Sequence, residues 1–543
     1  MSQLLLENPL LLLFVIAALG YLFGSIQING NGLGVAAVLF VGLFFGAWNP
    51  EFEIPAIVFS LGIVLFVYSI GLNSGPAFFS SIQKNGLRDI LFSIAMLTIM
   101  AAMTGGAGYL LNMSKETIVG IYTGSTTNTP ALAGVLNYIS ERPALAGDGS
   151  MVENAVVAYS YTYPMGVIGG LLAIVLMEKI FRINYDEEVE NVDERYFIES
   201  RPVSATVLVA KDNMHGVKLR DLKNKNNWNV VFGRIYRDDF GFFLSNWDTI
   251  LQKGDQIMVV GSQATIDEVT DTLGIKEDRS IAYDRKDYDV RTIFVSNHHV
   301  VGQSISSLNL YEKYDAVITR IRRGDAEILA TSETVLELGD RIMVVAHRDD
   351  LERLCKYFGD SYYNSSKVNL FTFGLGIALG LLLGLAEIKL PGGISLKLGI
   401  AGGPLIVGLL FGYLRRTGPI VWTMPYSSNV LLRQLGLILL LATIGVRSGG
   451  SFIESLQGGA GLTIFALGAG VSILTAMLTL LIGYKLLKIP YGIIMGYISN
   501  QPAILEFGLG RSKNMLPLQG YTIMFPIALI LKIIYAQLLF LVL

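Results

Sequence analysis

Two apolar blocks, residues 4–182 and 369–543, each carry one polar, helix-breaking stretch in the corresponding place: Gly124-Ser125-Thr126-Thr127-Asn128-Thr129-Pro130-Ala131 in the first, Gly496-Tyr497-Ile498-Ser499-Asn500-Gln501-Pro502-Ala503 in the second. Apolar runs about as long as a bilayer is thick recur through both blocks, which makes the chain a polytopic membrane protein. Repeat-related broken helices are where repeat-built transporters hold their substrates, so the paired stretches constrain fold and function together.

Hydropathy places full spans near 9–27, 32–47, 55–73, 88–111 and 155–181 in the first half, with 117–138 interrupted, and near 369–388, 396–414, 430–446, 461–486 and 518–541 in the second, with 491–508 interrupted. The clusters Lys84/Arg88, Lys179/Arg182, Arg415/Arg416, Lys485/Lys488 and Arg511/Lys513 all face the cytoplasm if each interrupted segment re-enters or fails to cross fully. Both termini then lie outside, the middle of the chain lies in the cytoplasm, and the odd number of spans makes the halves antiparallel; Lys115 and Arg142 fall on the outer side and run against the rule. The N-terminus has no basic region ahead of its apolar run, so the first helix is read as retained.

The duplication holds residue by residue. Gly62, Gly71, Ser74, Gly75 and Phe78 recur as Gly436, Gly445, Ser448, Gly449 and Phe452, each 374 positions on (436 − 62). Asn128, Pro130 and Ala131 recur 372 on (500 − 128), and Tyr159, Ser160 and Pro164 recur as Tyr521, Thr522 and Pro526, 362 on (521 − 159). The expected fold is therefore a helical membrane protein of two inverted repeats, each of about five spans plus one broken or re-entrant segment.

Residues 183–368 between the blocks hold most of the charge and all four histidines, and their apolar residues come in short β-branched runs, the signature of a soluble α/β insert. This too is duplicated: Gly254-Asp255-Gln256-Ile257-Met258-Val259-Val260 returns as Gly339-Asp340-Arg341-Ile342-Met343-Val344-Val345, 85 positions on (339 − 254). Each copy reads strand, small loop (His215-Gly216 or Val301-Gly302), short helix ending at Leu222 or Leu308, strand, polar turn, Gly-Asp turn, strand and helix. The two copies are expected to pair face to face, and the chain divides into a first membrane repeat (1–182), two insert domains (183–285 and 286–368) and a second membrane repeat (369–543).

The repeated Gly-Asp-x-Ile-Met-Val-Val turns, each after a strand-helix-strand unit, resemble the C-terminal lobe of RCK domains, often called TrkA-C. Flanked by membrane halves bearing Asn128-Thr129-Pro130-Ala131 and Asn500-Gln501-Pro502-Ala503, nearly the whole chain resembles the aspartate:alanine exchanger family of bacterial transporters. The resemblance implies secondary transport of small carboxylates or amino acids, such as aspartate exchanged for alanine or a dicarboxylate exported, across the inner membrane. For the insert it implies a ligand-sensing module that takes a small anion or nucleotide effector, or a scaffold that makes a homodimer. Candidate effector ligands are Arg234 and Arg320, with Arg237, Arg323 and His215 beside them; the Gly-rich lobe that would read a nicotinamide dinucleotide in a full RCK domain is missing.

A carboxylate at mid-bilayer must exchange water for fixed donors, and a broken helix supplies free N–H groups and a dipole end. Thr123, Ser125, Thr126, Thr127, Asn128, Thr129 and Pro130 are the candidates in the first half, facing Ser499, Asn500, Gln501 and Pro502 in the second. Small polar residues also pack membrane helices closely, and one such run alone would read that way; two at repeat-related positions point to a site. Lys532, inside the last apolar run, is a candidate counter-charge or a snorkelling side chain. Arg447 is expected to end its helix, where it meets a substrate carboxylate or the dipole's C-terminal pole. Glu506 reads as a proton carrier or a water-facing loop residue.

Other chemistries find little support. Lys and Arg number 41 against 44 Asp and Glu, which gives no nucleic-acid footprint, and the lone Cys355 rules out an internal disulfide. Gly374-Leu375-Gly376-Ile377-Ala378-Leu379-Gly380 follows no strand and reads as a helix-packing face, not a dinucleotide loop. There is no P-loop, nucleophile elbow, catalytic carboxylate pair or metal-ligand spacing, so neither ATP-driven transport nor a cofactor is expected. The other class kept open is a cation antiporter or an RCK-gated ion-conducting protein, although no Thr-Val-Gly-Tyr-Gly filter occurs.

Overall fold

A computed structural model describes residues 2–26, 35, 37–84, 86–140, 150–190, 202–278, 281, 287–324, 326–389, 395–499, 502–514 and 516–543. They form two compact units: one of Met1–Ile198, Phe373–Leu414 and Val430–Leu543, the other of Glu199–Thr372 and Arg415–Asn429.

In the helical unit the first half runs α1 Pro9–Gly24, α2 Ala37–Trp48, α3 Ala56–Lys84, α4 Gly86–Leu110, the broken pair α5 Lys115–Ser125 and α6 Thr129–Ser140, and α7 Ser150–Phe181. The same order returns as α8 Leu370–Gly384, α9 Gly399–Leu414, α10 Tyr426–Gln457, α11 Ala460–Leu481, the broken pair α12 Tyr491–Ile498 and α13 Pro502–Ser512, and α14 Leu516–Val542. Among the described residues six stretches are long and apolar enough to cross a bilayer, namely Ala56–Pro76, Arg88–Leu110, Ser150–Phe181, Tyr362–Gly384, Tyr426–Gln457 and Ala460–Leu486, and four shorter apolar helices accompany them. Five helices and one broken helix per half is the inverted-repeat plan that the spacing predicts.

The repeats interlock through glycine. A Cβ on Gly71 of α3 would lie 3.0 Å from the Cα of Gly408 on α9, and one on Gly445 of α10 would lie 2.8 Å from the Cα of Gly42 on α2. Each repeat thus presses its third helix onto the second helix of the other, backbone on backbone, an approach only small residues allow. The same packing corrects an expectation. Arg447 does not end its helix, because Ser448-Gly449-Gly450 stays helical and α10 runs on to Gln457, its Gly449 backed against Leu43, Gly46 and Ala47 of α2.

The other unit holds two antiparallel sheets of one topology. Its strands are β1 Val203–Val209, β2 Val230–Arg237, β3 Gly241–Leu244, β4 Gln256–Gly261, β5 Gly274–Glu277, β6 Tyr288–Phe294, β7 Ala316–Arg323, β8 Ala326–Leu329 and β9 Arg341–His347. The orders are β3-β2-β4-β1-β5 and β8-β7-β9-β6, so the copies match strand for strand apart from β5. The first short helix, Leu219–Asn226, runs past Leu222, whereas in the second copy a single turn, Ser306–Leu308, ends at Leu308 and Leu310–Tyr314 follows. The Gly-Asp turns explain themselves. Gly254 and Gly339 take φ of +96° and +90°, where a Cβ is penalised, and the buried Asp255 and Asp340 each accept a two-pronged bond from Arg237 and Arg323 at 2.7–2.8 Å. The segment Arg415–Asn429 between α9 and α10 belongs to this unit too: a two-stranded turn, Arg416–Thr417 with Ile420–Val421, buries Val421 in the second sheet's core while Arg415 bonds Glu337 at 3.3 Å.

Candidate functional site

The first broken helix ends because its own side chains take over its backbone. Thr123 and Thr126 bond back to the carbonyls of Val119 and Tyr122, each at 2.9 Å, the local competition that disfavours threonine within helices. Thr127 then enters the left-handed region at φ +49°, uncommon for a β-branched residue, and Asn128 restarts the chain as α6 by accepting the Ala131 N–H on its side-chain oxygen at 3.0 Å, the N-cap bond that asparagine makes well. Thr129 shares a 2.8 Å hydroxyl bond with the buried Tyr159, and Pro130 occupies the first turn, where its missing N–H costs nothing. Thr127 Oγ1 is buried with no hydrogen-bond partner among the described residues. Close against this break lies Gly166 of α7, where a Cβ would meet Gly124 O at 2.6 Å and Thr127 Cγ2 at 2.7 Å.

Beside the break is a cavity of about 70 Å³ lined from both repeats: Ser125 at the end of α5, Tyr497 and Ile498 at the end of α12, Phe92 to Met100 of α4, Gly166 and Gly170 of α7, Ser472 to Thr479 of α11, and Met524, Ala528 and Lys532 of α14. Lys532 is 3% exposed and donates to the carbonyl of Thr126 at 3.4 Å, the C-cap of α5. Held by a carbonyl at the negative end of a half-helix, the ammonium sits at the cavity instead of snorkelling away.

The six hydroxyls of the lining share the cavity with Lys532 and have their hydrogens committed elsewhere. Ser125 donates to Gly468 O at 3.3 Å, Ser472 to Met165 O at 3.0 Å, Thr475 to Val471 O at 2.6 Å and Thr479 to Thr475 O at 2.7 Å. Ser93 donates to Met524 Sδ at 2.6 Å and Tyr497 to Asp89 Oδ2 at 2.9 Å. The polar part of the lining is thus hydroxyl oxygens with lone pairs to spare and the Lys532 side chain, set among the apolar Phe92, Met96, Leu97, Met100, Ile498 and Met524. Among the described residues the lining contains no carboxylate.

The candidates separate by position. Ser125 and Lys532 line the cavity, Thr126 bonds Lys532, and Thr127, Asn128, Thr129 and Pro130 form the turn and cap behind it. Ser499 bonds back to Met495 O at 2.7 Å and Pro502 opens α13, while Asn500 and Gln501 lie outside the described residues. Arg447 is exposed on α10 and is not part of the lining. In the insert, Arg234 reaches from β2 to Tyr288 O on β6 at 3.4 Å, and Arg320 reaches from β7 to Ser204 on β1 and to Glu327. These two repeat-related arginines therefore tie one sheet to the other, Arg237 and Arg323 anchor the Gly-Asp turns, and exposed His215 accepts a backbone N–H from Lys253 at 3.4 Å.

Sequence reasoning missed Asp89, Ser472 and Thr475. Asp89 follows Arg88 in a basic cluster and reads as an interface charge, yet it is 2% exposed and holds Tyr497; the hydroxyls of α11 read as ordinary helix packing.

The comparisons agree with this layout. The family described as Predicted Permease Membrane Region matches residues 12–179 and 372–541, and the TrkA-C domain matches 205–274 and 290–359. An uncharacterized transporter of Geobacter sulfurreducens is 46% identical across 99% of both chains. One of Corynebacterium diphtheriae is 41% identical across 98% of both, and one of Symbiobacterium thermophilum is 39% identical across 99% of this chain and 98% of its own.

Proposed function

From the premise that this chain belongs to the aspartate-alanine exchanger family of membrane transporters, we propose that it exchanges small amino acids or carboxylates by alternating access, with the cavity between its two broken helices as the substrate site. The observation that carries this reading is the buried Lys532 at a cavity between the ends of α5 and α12 whose largely apolar wall also carries six hydroxyls. A substrate carboxylate beside Lys532 gains a charge-assisted bond, and a substrate ammonium finds acceptors in Ser125, Ser472 and Thr475, whose own hydrogens are spent. That division of labour favours an amino acid over a dicarboxylate of the same size. A lining with one cation and no carboxylate among the described residues speaks against the cation-antiporter alternative.

Exchange follows from the same charge. Moving a buried ammonium through the transport cycle costs less when a substrate carboxylate moves with it, because charge carried through a low-dielectric interior is costly unless an opposite charge accompanies it. The loaded carrier therefore reorients more readily than the empty one, which is the condition for antiport. The break at Thr127–Asn128 and its counterpart between α12 and α13 supply the joint. Arg447 is left as an interfacial contact for arriving anions. The TrkA-C pair, as a small-molecule or nucleotide sensor or as the dimerising element of a homodimer, sets the balance between states.

The test is uptake of radiolabelled aspartate into proteoliposomes preloaded with alanine, aspartate, succinate, glutamate or buffer alone. Uptake that requires an internal amino acid supports the reading. Equal uptake into buffer-loaded vesicles refutes exchange, and a stronger response to succinate than to alanine or aspartate refutes the ammonium subsite.

A further inference from the structure

The end of α12 that faces the cavity carries Tyr497, but the other end is held by a residue far away in the chain. The N–H groups of Tyr491 and Gly492 donate to Glu188 Oε1 at 2.8 Å and Oε2 at 3.1 Å. The residue in the local N-cap position is Pro490, which has no side-chain acceptor, so a carboxyl group 303 residues away supplies the acceptor oxygens that the first N–H groups of the helix need. Glu188 sits on the short helix Tyr185–Glu190 that follows α7. The first residue of that helix reaches the other half of the break: Tyr185 donates to Glu178 Oε2 at 3.2 Å, and Glu178 on α7 receives a two-pronged bond from Arg511 of α13 at 2.6 and 2.8 Å. Tyr491 also donates its hydroxyl to Ile174 O at 2.7 Å, so α12 is tied to α7 directly. Among the described residues the first broken helix has no such cap: its N-cap Ser114 makes no side-chain cap bond.

We propose that Tyr185–Glu190 is a strap that fixes both halves of the second broken helix, with Glu188 as the positioning residue that sets where α12, and hence its cavity end at Tyr497 and Ile498, stands in the transport cycle. Docked, the strap holds the wall of the cavity in the arrangement described above; released, it frees α12 to move relative to α7 and α14. The chain runs on from the strap to β1 of the insert, so the element that fixes α12 is also the covalent lead into the TrkA-C pair. The proposal rests on the reading of the cavity as the substrate site.

The strap is responsive to pH. Burial pushes the Glu188 carboxyl above the usual carboxylate range, with the bonds from Tyr491 and Gly492 pulling it back only in part. The groups around it are Tyr185 and Glu187 on the strap, Glu178 on α7, Arg511 on α13, Tyr491 on α12, and Tyr484 and Lys485 in the turn after α11. A docked state that raises a carboxylate's pKa binds protons more tightly than the released state, so docking is strengthened as pH falls and weakened as pH rises through the raised value. A glutamine, neutral throughout, mimics the protonated acid.

The experiment uses the full chain in proteoliposomes and measures exchange against pH for wild type, Glu188→Gln, Glu188→Ala and Lys532→Met, with deuterium uptake of the α12 amides read in parallel. In Glu188→Gln the expected result is loss of the limb of the wild-type pH profile above the usual carboxylate range, along which exchange changes as the Glu188 carboxyl ionises. In Glu188→Ala the expected result is several-fold faster deuterium uptake across Tyr491–Tyr497, with α5 unchanged. A Glu188→Gln profile that superimposes on wild type, or α12 uptake unchanged in Glu188→Ala, overturns the strap. Lys532→Met separates the two claims: retained exchange refutes the cavity reading while the deuterium result still decides the strap.

Discussion

Ser125 at the end of α5 and Tyr497 at the end of α12 hold equivalent places in the two membrane repeats, as do Gly166 and Ala528, and Gly170 and Lys532; all six line one cavity. The duplication explains where the cavity is, since matching breaks in inverted repeats bring matching helix ends to one place. It does not explain what the cavity binds. On the proposed reading that chemistry comes from the positions where the copies differ: serine in one repeat where the other has a tyrosine held by Asp89, and glycine where the other has lysine. Symmetry builds the space and its breaking supplies the charge.

The largest expected effect removes the asymmetry. Lys532→Met keeps the stem and deletes the charge, and should forfeit about 1.5–3 kcal/mol of substrate binding, on the order of 10- to 100-fold in half-saturation, with the protein still assembled. Next is a contrast across the repeat. Gly166→Ala forces a Cβ against Gly124 O and Thr127 Cγ2 at 2.6 and 2.7 Å and should cost about 1–3 kcal/mol, whereas Ala528→Gly, its mirror, removes a methyl that already fits. Comparison of thermal unfolding in detergent should show a lowered midpoint for the first and a smaller change for the second; equal effects would break the idea that the first break is the tightly packed one.

Asn128→Ala loses the Ala131 cap, worth about 1 kcal/mol, and should lower exchange strongly while assembly persists. Asn500→Ala should do the same if the second break uses the same device, and full activity in both variants would sink the assignment of the breaks to transport. The smallest effects belong to the two helix-end hydroxyls. Ser125→Ala and Tyr497→Phe each remove one oxygen from the cavity, and uptake should fall a few-fold, further for Tyr497→Phe because it also deprives buried Asp89 of a donor.

The repeat, the two breaks, the cytoplasmic-type α/β insert and its Gly-Asp turns were all legible in the chain, because each rests on local chemistry: apolar run length, threonine and proline within a run, glycine at positive φ. What escaped depends on contacts between distant segments. Arg447 read as a helix end where the first repeat has Asn73, but packing against α2 carries α10 onward. Arg237 and Arg323 read as effector ligands because their Asp255 and Asp340 partners sit in turns on the far side of the neighbouring hairpin strand. Lys532 stood out as an intramembrane charge, yet only the fold turns it toward the Thr126 carbonyl, 406 residues away.

The most direct test of the central claim is equilibrium binding of whichever labelled amino acid drives exchange, measured on purified wild type and on Lys532→Met. Saturable binding in the wild type that is lost in Lys532→Met, with both proteins monodisperse, is the predicted result; equal binding by the two would mean that the cavity between the broken helices is not where the substrate sits.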